Sequence, residues 1–492
     1  VKKLSQSLLN LDINIGDRVG TLAWSNLRHF ELYYGVSGIG AVCHTINPRL
    51  FKEQIIFIIN DAKDKMLFVD IEFLDLIKDI SSELKTLETI VILGNKNTLD
   101  DEVKINQKVL TYKSLIEGQE SLNKWPSFSE KTASSLCYTS GTTGNPKGVM
   151  YSHRSTIIHT IAAANPDSFS LSSTDVIMPI APMFHANAWG IPYIATMIGA
   201  KLVLPGRNLD GESIYKLLQK EKVTFTAAVP TIWLALFDYL EKENKELNYL
   251  KSCAIGGSAC PRFMIESFSE KYGVKVIHAW GMTETSPLGT VNKPLKKHIS
   301  LTNKQKYDLA IKQGRPVFGV DIKIEDDQGN ELPRNGTTSG NLWVKGLWVC
   351  NGYMNIEKSD VHRNDGWFLT GDVATIDSDG FMQITDRVKD VIKSGGEWIS
   401  TIEIENIAVG HSKVKEAAVI GVKHNKWDER PLLIVVKSDK VEKEEILDFL
   451  KGKIAKWWMP DDILFLKELP HTATGKIKKV DLKKIYINYL LD

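Results

Sequence analysis

The sequence has little cysteine and no excess of charge of either sign. Its 492 residues include five cysteines, and none of them is spaced as C-x-x-C. This usage indicates neither a disulfide framework nor a zinc site and fits a reducing compartment, so we expect a cytoplasmic protein. Lysine plus arginine (61) balance aspartate plus glutamate (60), which argues against nucleic acid or an anionic membrane as the main partner.

Long apolar runs are also missing. The longest, AWGIPYIATMIGA at 188–200, ends at Lys201. It is shorter than the roughly 20 residues that cross a bilayer, so we predict a core helix there and no transmembrane segment. The chain opens with Val1 instead of methionine, directly inside the helix-like KKLSQSLLNL. We therefore expect that the natural N-terminus precedes this sequence.

The composition, 43% hydrophobic and 25% charged, is typical of a large globular protein of two or more domains. From residue 17 onward, short apolar runs such as DRVGTLAW and KMLFVD alternate with helical patterns, and the alternation continues to residue 272. This pattern predicts α/β layers with mostly parallel strands. After residue 314, two-residue alternation with glycine turns, as in GVDIKIEDDQGNELP, predicts antiparallel hairpins.

A compact segment follows DRVKDVIKSGG. It has a predicted helix at TIEIENIAV, strands at EAAVIGVK and PLLIVVK, a helix at 441–457 and a final strand at DILFLKEL. Its length suits a small independent domain. The predicted fold class is therefore α/β, with a large domain of layered sheets and a β-rich subdomain at 1–388, and a small mobile α+β domain at 389–492.

A glycine-rich loop lies in YTSGTTGNPKG, after the predicted strand SLCY and before the helical SHRSTIIHTIAAAN. Backbone N–H groups, hydroxyls and one ammonium form a cradle for phosphate oxygens there. The candidate phosphate-binding residues are Thr139, Ser140, Gly141, Thr142, Thr143, Gly144 and Lys147. The loop lacks the G-K-[ST] ending of a Walker A motif. The alternative is an ordinary glycine-rich turn.

A second candidate site lies in HAWGMTETSP, at the end of the predicted strand KVIHAW. Ligands of open α/β sheets bind at the carboxyl ends of strands. The Trp280 indole could stack on a purine, and the Thr283 hydroxyl could contact a phosphate. The Glu284 carboxylate could hold Mg²⁺, which prefers oxygen ligands. The same segment could also be only a strand, a turn and a helix cap.

Four further charged residues are candidates. Asp372 in WFLTGDVATID could accept both hydroxyls of a ribose, and Arg387 follows in TDRVKD. Lys393 in IKSGGEW and Lys476 in HTATGKIKK lie close to glycine, which lets an ammonium approach a ligand. Each of the four residues, taken singly, is more simply explained as a solvated charge.

Five segments of the chain together resemble the adenylate-forming superfamily of acyl-CoA synthetases, luciferases and peptide-synthetase adenylation domains. In order along the chain they are YTSGTTGNPKG, WGMTE, TGD, DRVKDVIKSGGEW and ATGKIKK. The resemblance spans most of the chain. The segments MFHANAWG and SGGEWIS are most similar to bacterial medium- and long-chain fatty acyl-CoA synthetases, a group that includes methylthiopropionate ligases.

The resemblance implies an acid-thiol ligase that uses ATP, Mg²⁺ and coenzyme A. The carboxylate of the substrate attacks the α-phosphate of MgATP and forms an acyl-adenylate and pyrophosphate. The small C-terminal domain then rotates, and the thiol of CoA displaces AMP. The glycine-rich loop would hold the β- and γ-phosphates, because this chemistry depends on positioning and on neutralising charge.

The resemblance also assigns roles to residues of this chain. Lys476 would contact the reacting carboxylate and the α-phosphate, Thr283 the α-phosphate, and Glu284 the Mg²⁺ ion. Lys389 would be the hinge, and rotation there would exchange Lys476 for the face that carries Lys393. The adenine and ribose would be bound by Gly256, Gly257, Ser258, Trp280, Gly281, Asp372 and Arg387.

The acyl and CoA sites are implied in the same way. His185 and Trp189 would wall the acyl pocket, with Gly256 and Gly257 beside them, and in long-chain relatives the tryptophan acts as a gate. A core aromatic at the start of a helix is the alternative for Trp189. The CoA site would be formed by Lys393, Gly395, Gly396 and Trp398.

An acyl-CoA ligase is thus the leading hypothesis. The enzymatic alternatives are an acyl-AMP ligase that loads a carrier protein and a luciferase-like oxidase. A nucleotide-binding sensor without turnover is a third class, and the presence of both Lys393 and Lys476 argues against it. The resemblance leaves the acyl chain length open. Because some long-chain relatives form homodimers, a homodimer is one expectation for this chain.

Overall fold

The computed structural model describes residues 1–94, 105–139, 145–357, 359–394, 397–472 and 476–491. The chain forms two compact units. The first unit comprises Val1–Ala227, Gly281–Leu288 and Leu347–His362, and the second comprises Ala228–Trp280, Gly289–Gly346 and Arg363–Asp492.

The first unit contains a seven-stranded sheet with the order β5-β4-β3-β1-β2-β6-β7. Its strands are parallel except for the antiparallel hairpin of β6 and β7. Side chains alternate between two apolar cores, as expected for a sheet covered on both faces: Met66 and Phe68 pack in one core, and Leu67 and Val69 pack in the other. The strands are β1 (Arg18–Leu22), β2 (Val42–Thr45), β3 (Asp64–Asp70), β4 (Thr89–Leu93), β5 (Lys108–Thr111), β6 (Ala133–Tyr138) and β7 (Gly148–Ser152).

Three more strands of this unit are parallel, with β8 (Val176–Pro179) between β9 (Lys201–Leu202) and β10 (Phe225–Ala228). Apart from α1, which precedes β1, the helices of the unit lie between successive strands, as the alternating pattern predicts. They are α1 (Lys2–Asn10), α2 (Leu27–Ser37), α3 (Lys52–Ala62), α4 (Leu74–Ile80), α5 (Tyr112–Ile116), α6 (His153–Ala164), α7 (Ile191–Ile198) and α8 (Gly211–Lys220).

The second unit begins with the helices α9 (Pro230–Lys242), α10 (Arg262–Glu270) and α11 (Asn303–Ala310) and with strands in the order β14-β13-β12-β11. The predicted hairpins then form an antiparallel sheet in the order β15-β16-β17-β18. The strands are β11 (Ser252–Ile255), β12 (Lys275–Gly281), β13 (Leu288–Val291), β14 (Arg315–Pro316), β15 (Val320–Glu325), β16 (Gly340–Gly346), β17 (Phe368–Ile376) and β18 (Met382–Arg387).

The last part of the second unit is a five-stranded sheet whose two faces are both apolar. The order is β20-β19-β22-β21, and β23 pairs in parallel with β22. Val419 and Leu433 face one core, and Ile420 and Leu432 face the other. The elements are β19 (Ile392–Ser394), β20 (Glu397–Ile399), α12 (Thr401–Ala408), β21 (Val414–His424), β22 (Asp428–Lys437), α13 (Lys443–Leu450), β23 (Asp462–Leu466) and α14 (Lys479–Tyr486).

The α/β fold class, with its β-rich part and smaller C-terminal part, is confirmed, but two details of the C-terminal prediction are wrong. The helix predicted at 441–457 ends at Leu450, because Gly452 adopts a left-handed conformation with φ of 75°. The strand β23 is not the final element, since α14 follows and places Leu482 in the second core. The boundary between residues 388 and 389 stays a prediction.

A buried polar network joins the end of β18 to α12 and α14 within the second unit. Asp386 accepts hydrogen bonds from the Thr401 N–H (2.6 Å) and hydroxyl (3.1 Å). The Lys479 ammonium donates to the Thr401 hydroxyl (2.5 Å) and pairs with the Glu405 carboxylate (2.7 Å). Burial raises the pKa of both acids, Glu405 and Asp386, and the nearby lysine opposes this rise. The network therefore depends on the Lys479 charge.

We predict that Lys479→Met destabilises the protein by about 3–5 kcal/mol at pH 8, because it leaves Glu405 buried without its cation. At pH 5.5 the loss should be smaller, since the carboxyl group can then take up a proton. Urea-induced unfolding at the two pH values measures both effects. Lys483→Met is the control on the same helix, because the more exposed Lys483–Glu429 pair (2.8 Å) should contribute at most about 1 kcal/mol. Equal losses for the two variants would contradict the prediction.

Candidate active site

The glycine-rich loop closes the hairpin of β6 and β7 in the first unit. The Thr139 N–H donates to the Lys147 carbonyl (2.9 Å), and Tyr138 pairs with Gly148. The loop was expected to lead directly into a helix, but β7 intervenes and α6 begins only at His153. Thr139 and Lys147 are thus the described ends of the candidate phosphate cradle. The candidates outside the described residues are Ser140, Gly141, Thr142, Thr143 and Gly144.

Thr283 and Glu284 begin a short 3₁₀ turn that is also part of the first unit. Both are buried, with 6% of each residue exposed. The Tyr151 hydroxyl donates to the Thr283 carbonyl (2.7 Å), and the Cys350 N–H donates to the Glu284 carbonyl (2.8 Å). The turn is therefore fixed by hydrogen bonds to two of its carbonyl groups, one from a side chain and one from the backbone.

Tyr353 contacts two of the predicted site residues at once. Its hydroxyl donates to Oε1 of Glu284 (2.9 Å), and the Lys147 ammonium lies 4.8 Å from its ring centroid. Burial and the Glu284 charge raise the pKa of Tyr353, so the phenol stays protonated and donates. The same two causes raise the pKa of the Cys350 thiol to about 12. Tyr353 and Cys350 are therefore both uncharged at neutral pH.

Three predicted nucleoside-binding residues meet in the second unit. Asp372 on β17 is paired in register with Arg387 on β18. Oδ1 of Asp372 lies 3.0 Å from the Arg387 Nε, and Oδ2 accepts a hydrogen bond from the Trp280 indole (3.0 Å). Asp372 is 2% exposed, whereas 38% of the Arg387 side chain is exposed. The carboxylate is thus buried and oriented from two sides.

The Trp280 ring lies closely against the backbone of Gly289. A Cβ at residue 289 would come 2.4 Å from the Trp280 ring, so only glycine leaves room for it. The indole N–H is directed at Asp372, and stacking of the ring on adenine stays a prediction. Gly256, Gly257 and Ser258 follow β11, which is the parallel neighbour of β12. The carboxyl ends of these two parallel strands therefore bring Gly256–Ser258 and Trp280 to the same edge of the sheet.

Of the predicted acyl residues of the first unit, His185 precedes a left-handed turn and Trp189 lies within it. Residues 186–190 all have positive φ, from 44° at Ala186 to 74° at Gly190. Such a conformation costs about 1–2 kcal/mol for each non-glycine residue. The turn is held by Asn187, whose amide donates to the Ser135 hydroxyl (2.9 Å). The helix predicted for 188–200 begins only at Ile191, so Trp189 is not a helix-start residue.

Gly190 ends this turn against the ring of His159. A Cβ at residue 190 would lie 2.6 Å from that ring. Burial lowers the pKa of His159 to about 3, so the imidazole is neutral and accepts a hydrogen bond from the Leu288 N–H (3.3 Å). A close approach and a positive φ both require glycine at residue 190.

The residues predicted for the hinge and for CoA lie around β19. Lys389 is exposed in a turn in which the Val391 N–H donates to the Arg387 carbonyl (2.9 Å). Lys393 on β19 is exposed, and its backbone pairs with that of Trp398 on β20. Gly395, Gly396 and the side chain of Trp398 lie outside the described residues. The structure thus describes the strand that carries Lys393, and the CoA roles stay predictions.

Lys476 precedes α14 and is hydrogen-bonded to Thr472. The Thr472 N–H donates to the Lys476 carbonyl (2.7 Å), and the Lys476 N–H donates to the Thr472 hydroxyl (3.1 Å). His471 pairs with Glu416 (3.1 Å), and this contact raises the pKa of His471. The backbone of Lys476 is therefore bonded to Thr472, whose neighbour His471 pairs with Glu416 on β21.

Sequence reasoning missed Tyr353, Tyr151 and the network around Lys479. The position of a single tyrosine in the sequence does not indicate which residue it contacts. The apolar residues Leu482 and Tyr486, four positions apart, could have indicated α14. Among the described residues, no group of three His, Cys, Asp or Glu side chains could hold a metal ion. None of the helices in the described ranges is long and apolar enough to cross a membrane.

We predict that Asp372→Asn lowers the affinity for AMP by about 10- to 100-fold, as expected for lost hydrogen bonds to a charged group. The substitution also replaces one of the two accepting oxygens by an NH₂ donor, which would then face the donor group of Trp280 or Arg387. Isothermal titration with AMP measures the loss. Asp321→Asn on β15 of the same sheet is the control, because Asp321 is exposed. An affinity of Asp372→Asn within twofold of the wild type would contradict the assignment.

Comparison with known proteins identifies the family of this chain. The sequence matches the family described as AMP-binding enzyme over residues 1–354, and its C-terminal domain over residues 403–476. It is 51% identical over 484 residues to a 3-methylmercaptopropionyl-CoA ligase of Ruegeria lacuscaerulensis, and the alignment covers 98% of this chain and 89% of the relative. It is 49% identical over 492 residues to a medium-chain-fatty-acid–CoA ligase of Ectopseudomonas oleovorans, with 100% and 90% covered.

The fold is similar to that of solved adenylate-forming enzymes. A crystal structure of an anthranilate CoA ligase in complex with anthranoyl-AMP superimposes with a TM-score of 0.88 at 26% identity, over 98% of this chain and 90% of that one. The sequence match covers more than half of the chain, and the relatives align along nearly all of it. The chain therefore belongs to the AMP-binding enzyme family, the adenylate-forming enzymes that its motifs resemble.

Proposed function

We propose that the protein is an AMP-forming acyl-CoA ligase. The observation that supports this most strongly is the identity of about half of all residues, over nearly the full length of both chains, with ligases that form acyl-CoA thioesters. ATP and CoA are the substrates that such a ligase requires, together with a carboxylic acid. The buried and oriented Asp372 agrees with a site for a nucleoside.

The reaction has two balanced steps. In the first, a carboxylate oxygen of the acid bonds to the α-phosphorus of ATP, the bond from that phosphorus to the β-phosphate oxygen breaks, and pyrophosphate leaves. In the second, the sulfur of CoA bonds to the acyl carbon, the bond to the AMP oxygen breaks, and the thiol proton passes to solvent. Both steps depend on orientation and charge neutralisation, so no nucleophilic side chain is needed.

Residues of the first unit would bind the phosphates. The loop that ends at Thr139 and Lys147 would take the β- and γ-phosphates, and Thr283 the α-phosphate. Glu284 would hold Mg²⁺, and a single carboxylate fits this ion because Mg²⁺ in nucleotide sites keeps waters and phosphate oxygens as its other ligands. The ion would neutralise phosphate charge during the first step.

Residues of the second unit would bind the nucleoside and provide the lysines. Trp280, Asp372 and Arg387 would hold the adenosine, with Gly256, Gly257, Ser258 and Gly281 beside it. The Lys476 ammonium would stabilise charge on the α-phosphate in the first step. A small mobile domain at 389–492 would then turn at Lys389 and bring Lys393, Gly395, Gly396 and Trp398 to CoA.

The substrate we propose is an acid with an apolar chain of short to medium length. Both relatives described above act on such acids by name, and His185 and Trp189 would wall the pocket. Burial of each methylene group contributes about 0.8 kcal/mol of binding free energy, so a small change in pocket depth strongly changes the preferred chain length of the acid. A cytoplasmic location agrees with the five free cysteines, and a homodimer remains the expectation from long-chain relatives.

We predict that AMP, pyrophosphate and acyl-CoA form in a 1:1:1 ratio, and that multiple turnovers occur only when acid, ATP and CoA are all present. Across propionate, 3-methylthiopropionate, octanoate and palmitate, kcat/KM should be highest for 3-methylthiopropionate or octanoate. Coupled assays of pyrophosphate release and chromatography of the thioester measure both quantities.

Lys476→Ala is the control for this assay. It should lower pyrophosphate release by at least about 10²-fold, because it removes a preorganised charge from the transition state. Transfer of a supplied acyl-AMP to CoA should persist. Pyrophosphate release without thioester would favour a carrier-protein loader, and ATP binding without release would favour a sensor.

A further inference from the structure

The segment Leu347–His362 of the first unit, here called the strap, contacts both Lys147, proposed to bind phosphate, and Glu284, proposed to bind Mg²⁺. We propose that Tyr353 on the strap is a positioning residue for adenylation, whose phenol orients the Glu284 carboxylate and whose ring holds the Lys147 ammonium. This inference rests on the function proposed above and deepens it.

The first contact is made at Glu284. Tyr353 is 9% exposed and Glu284 is 6% exposed, and the phenol donates to Oε1 of the carboxylate (2.9 Å). The strap also fixes the backbone here, because the Cys350 N–H donates to the Glu284 carbonyl (2.8 Å). A hydrogen bond to a buried carboxylate fixes the direction of its oxygens, and a Mg²⁺ ligand must meet near-octahedral geometry.

The second contact is made at Lys147. The ammonium lies 4.8 Å from the Tyr353 ring centroid, within the range of a cation–π interaction. The next residue of the strap, Met354, contacts the residue after Lys147, since the Met354 N–H donates to the carbonyl of Gly148, the first residue of β7 (2.8 Å). The strap therefore fixes the end of the glycine-rich loop as well as the 3₁₀ turn that begins with Thr283 and Glu284.

The chemistry of a phenol explains why this residue suits both contacts. The phenol is neutral, so it can orient the Glu284 carboxylate and the Lys147 ammonium without neutralising the charge of either group. Both charges are needed later, one for phosphate oxygens and one for a divalent cation. The hydroxyl group serves Glu284 and the ring face serves Lys147, so the two functions can be removed one at a time.

The test compares Tyr353→Phe with Tyr353→Leu in the full chain. Tyr353→Phe keeps the ring and loses the donor, so the Mg²⁺ concentration needed for half-maximal ATP binding should rise about 10-fold or more. The kcat for pyrophosphate release should fall by a similar factor, while the KM for the acid stays unchanged. Tyr353→Leu should weaken ATP binding by a further factor of about 2 to 5, also without Mg²⁺. Calorimetric titration of ATP at several Mg²⁺ concentrations provides the binding data.

Tyr112→Phe is a matched control within the same unit. The Tyr112 hydroxyl donates to the Glu31 carboxylate (2.8 Å), and the Arg28 guanidinium lies 4.5 Å from the Tyr112 ring centroid. These are the same two kinds of contact, made by residues that have no assigned role in the site. Tyr112→Phe should leave the Mg²⁺ dependence of ATP binding as in the wild type.

Three results would overturn the proposal, and a fourth would overturn only the proposed function. Tyr353→Phe with the wild-type Mg²⁺ dependence would overturn it. An equal shift in Tyr112→Phe, or an equal loss in both half-reactions of Tyr353→Phe, would assign Tyr353 a structural role and also overturn it. A wild-type protein that binds MgATP but forms no adenylate with any acid would overturn the proposed function alone, because the Mg²⁺ titration would still decide the role of Tyr353.

Discussion

The candidate site depends on one constraint, which is that each buried carboxylate needs its own hydrogen-bond donors. A buried carboxylate without partners is strongly disfavoured, so the fold must bring donors to it. Tyr353 serves Glu284, Trp280 and Arg387 serve Asp372, and Thr401 and Lys479 serve Asp386 and Glu405. The first two sets orient groups proposed to bind Mg²⁺ and ribose. The third joins the strand before the proposed hinge to the helices after it.

The donors come from parts of the chain that are remote in sequence. Tyr353 lies 69 residues from Glu284, and Asp372 lies 92 residues from Trp280. Such pairs form only when the sheets are complete, so the site depends on the tertiary fold and not on the local motifs alone. The left-handed turn at 186–190 also depends on a contact that is distant in sequence. The buried amide of Asn187 donates to Ser135 and helps to hold a backbone conformation that is unfavourable by itself.

Sequence patterns predicted most of the fold, because strands and helices differ in period and glycine marks their ends. The α/β layers, the hairpins after residue 314 and the phosphate and nucleoside motifs all followed from local signals. The helix α14 did not, because its lysines suggested a solvated face and its role is to cover the second face of a sheet. Tyr353 was also missed, since its meaning lies in two distant partners. The strand β7 was hidden by the helical pattern that follows it.

The central claim is that the acid is activated as an acyl-adenylate. It is tested most directly with an acid whose carboxylate carries ¹⁸O, incubated with ATP, Mg²⁺, CoA and the protein, followed by mass spectrometry of the phosphate products. Attack of the carboxylate on the α-phosphorus moves one labelled oxygen into AMP, so we expect singly labelled AMP and unlabelled pyrophosphate. Label in orthophosphate, or AMP without label, would contradict the account.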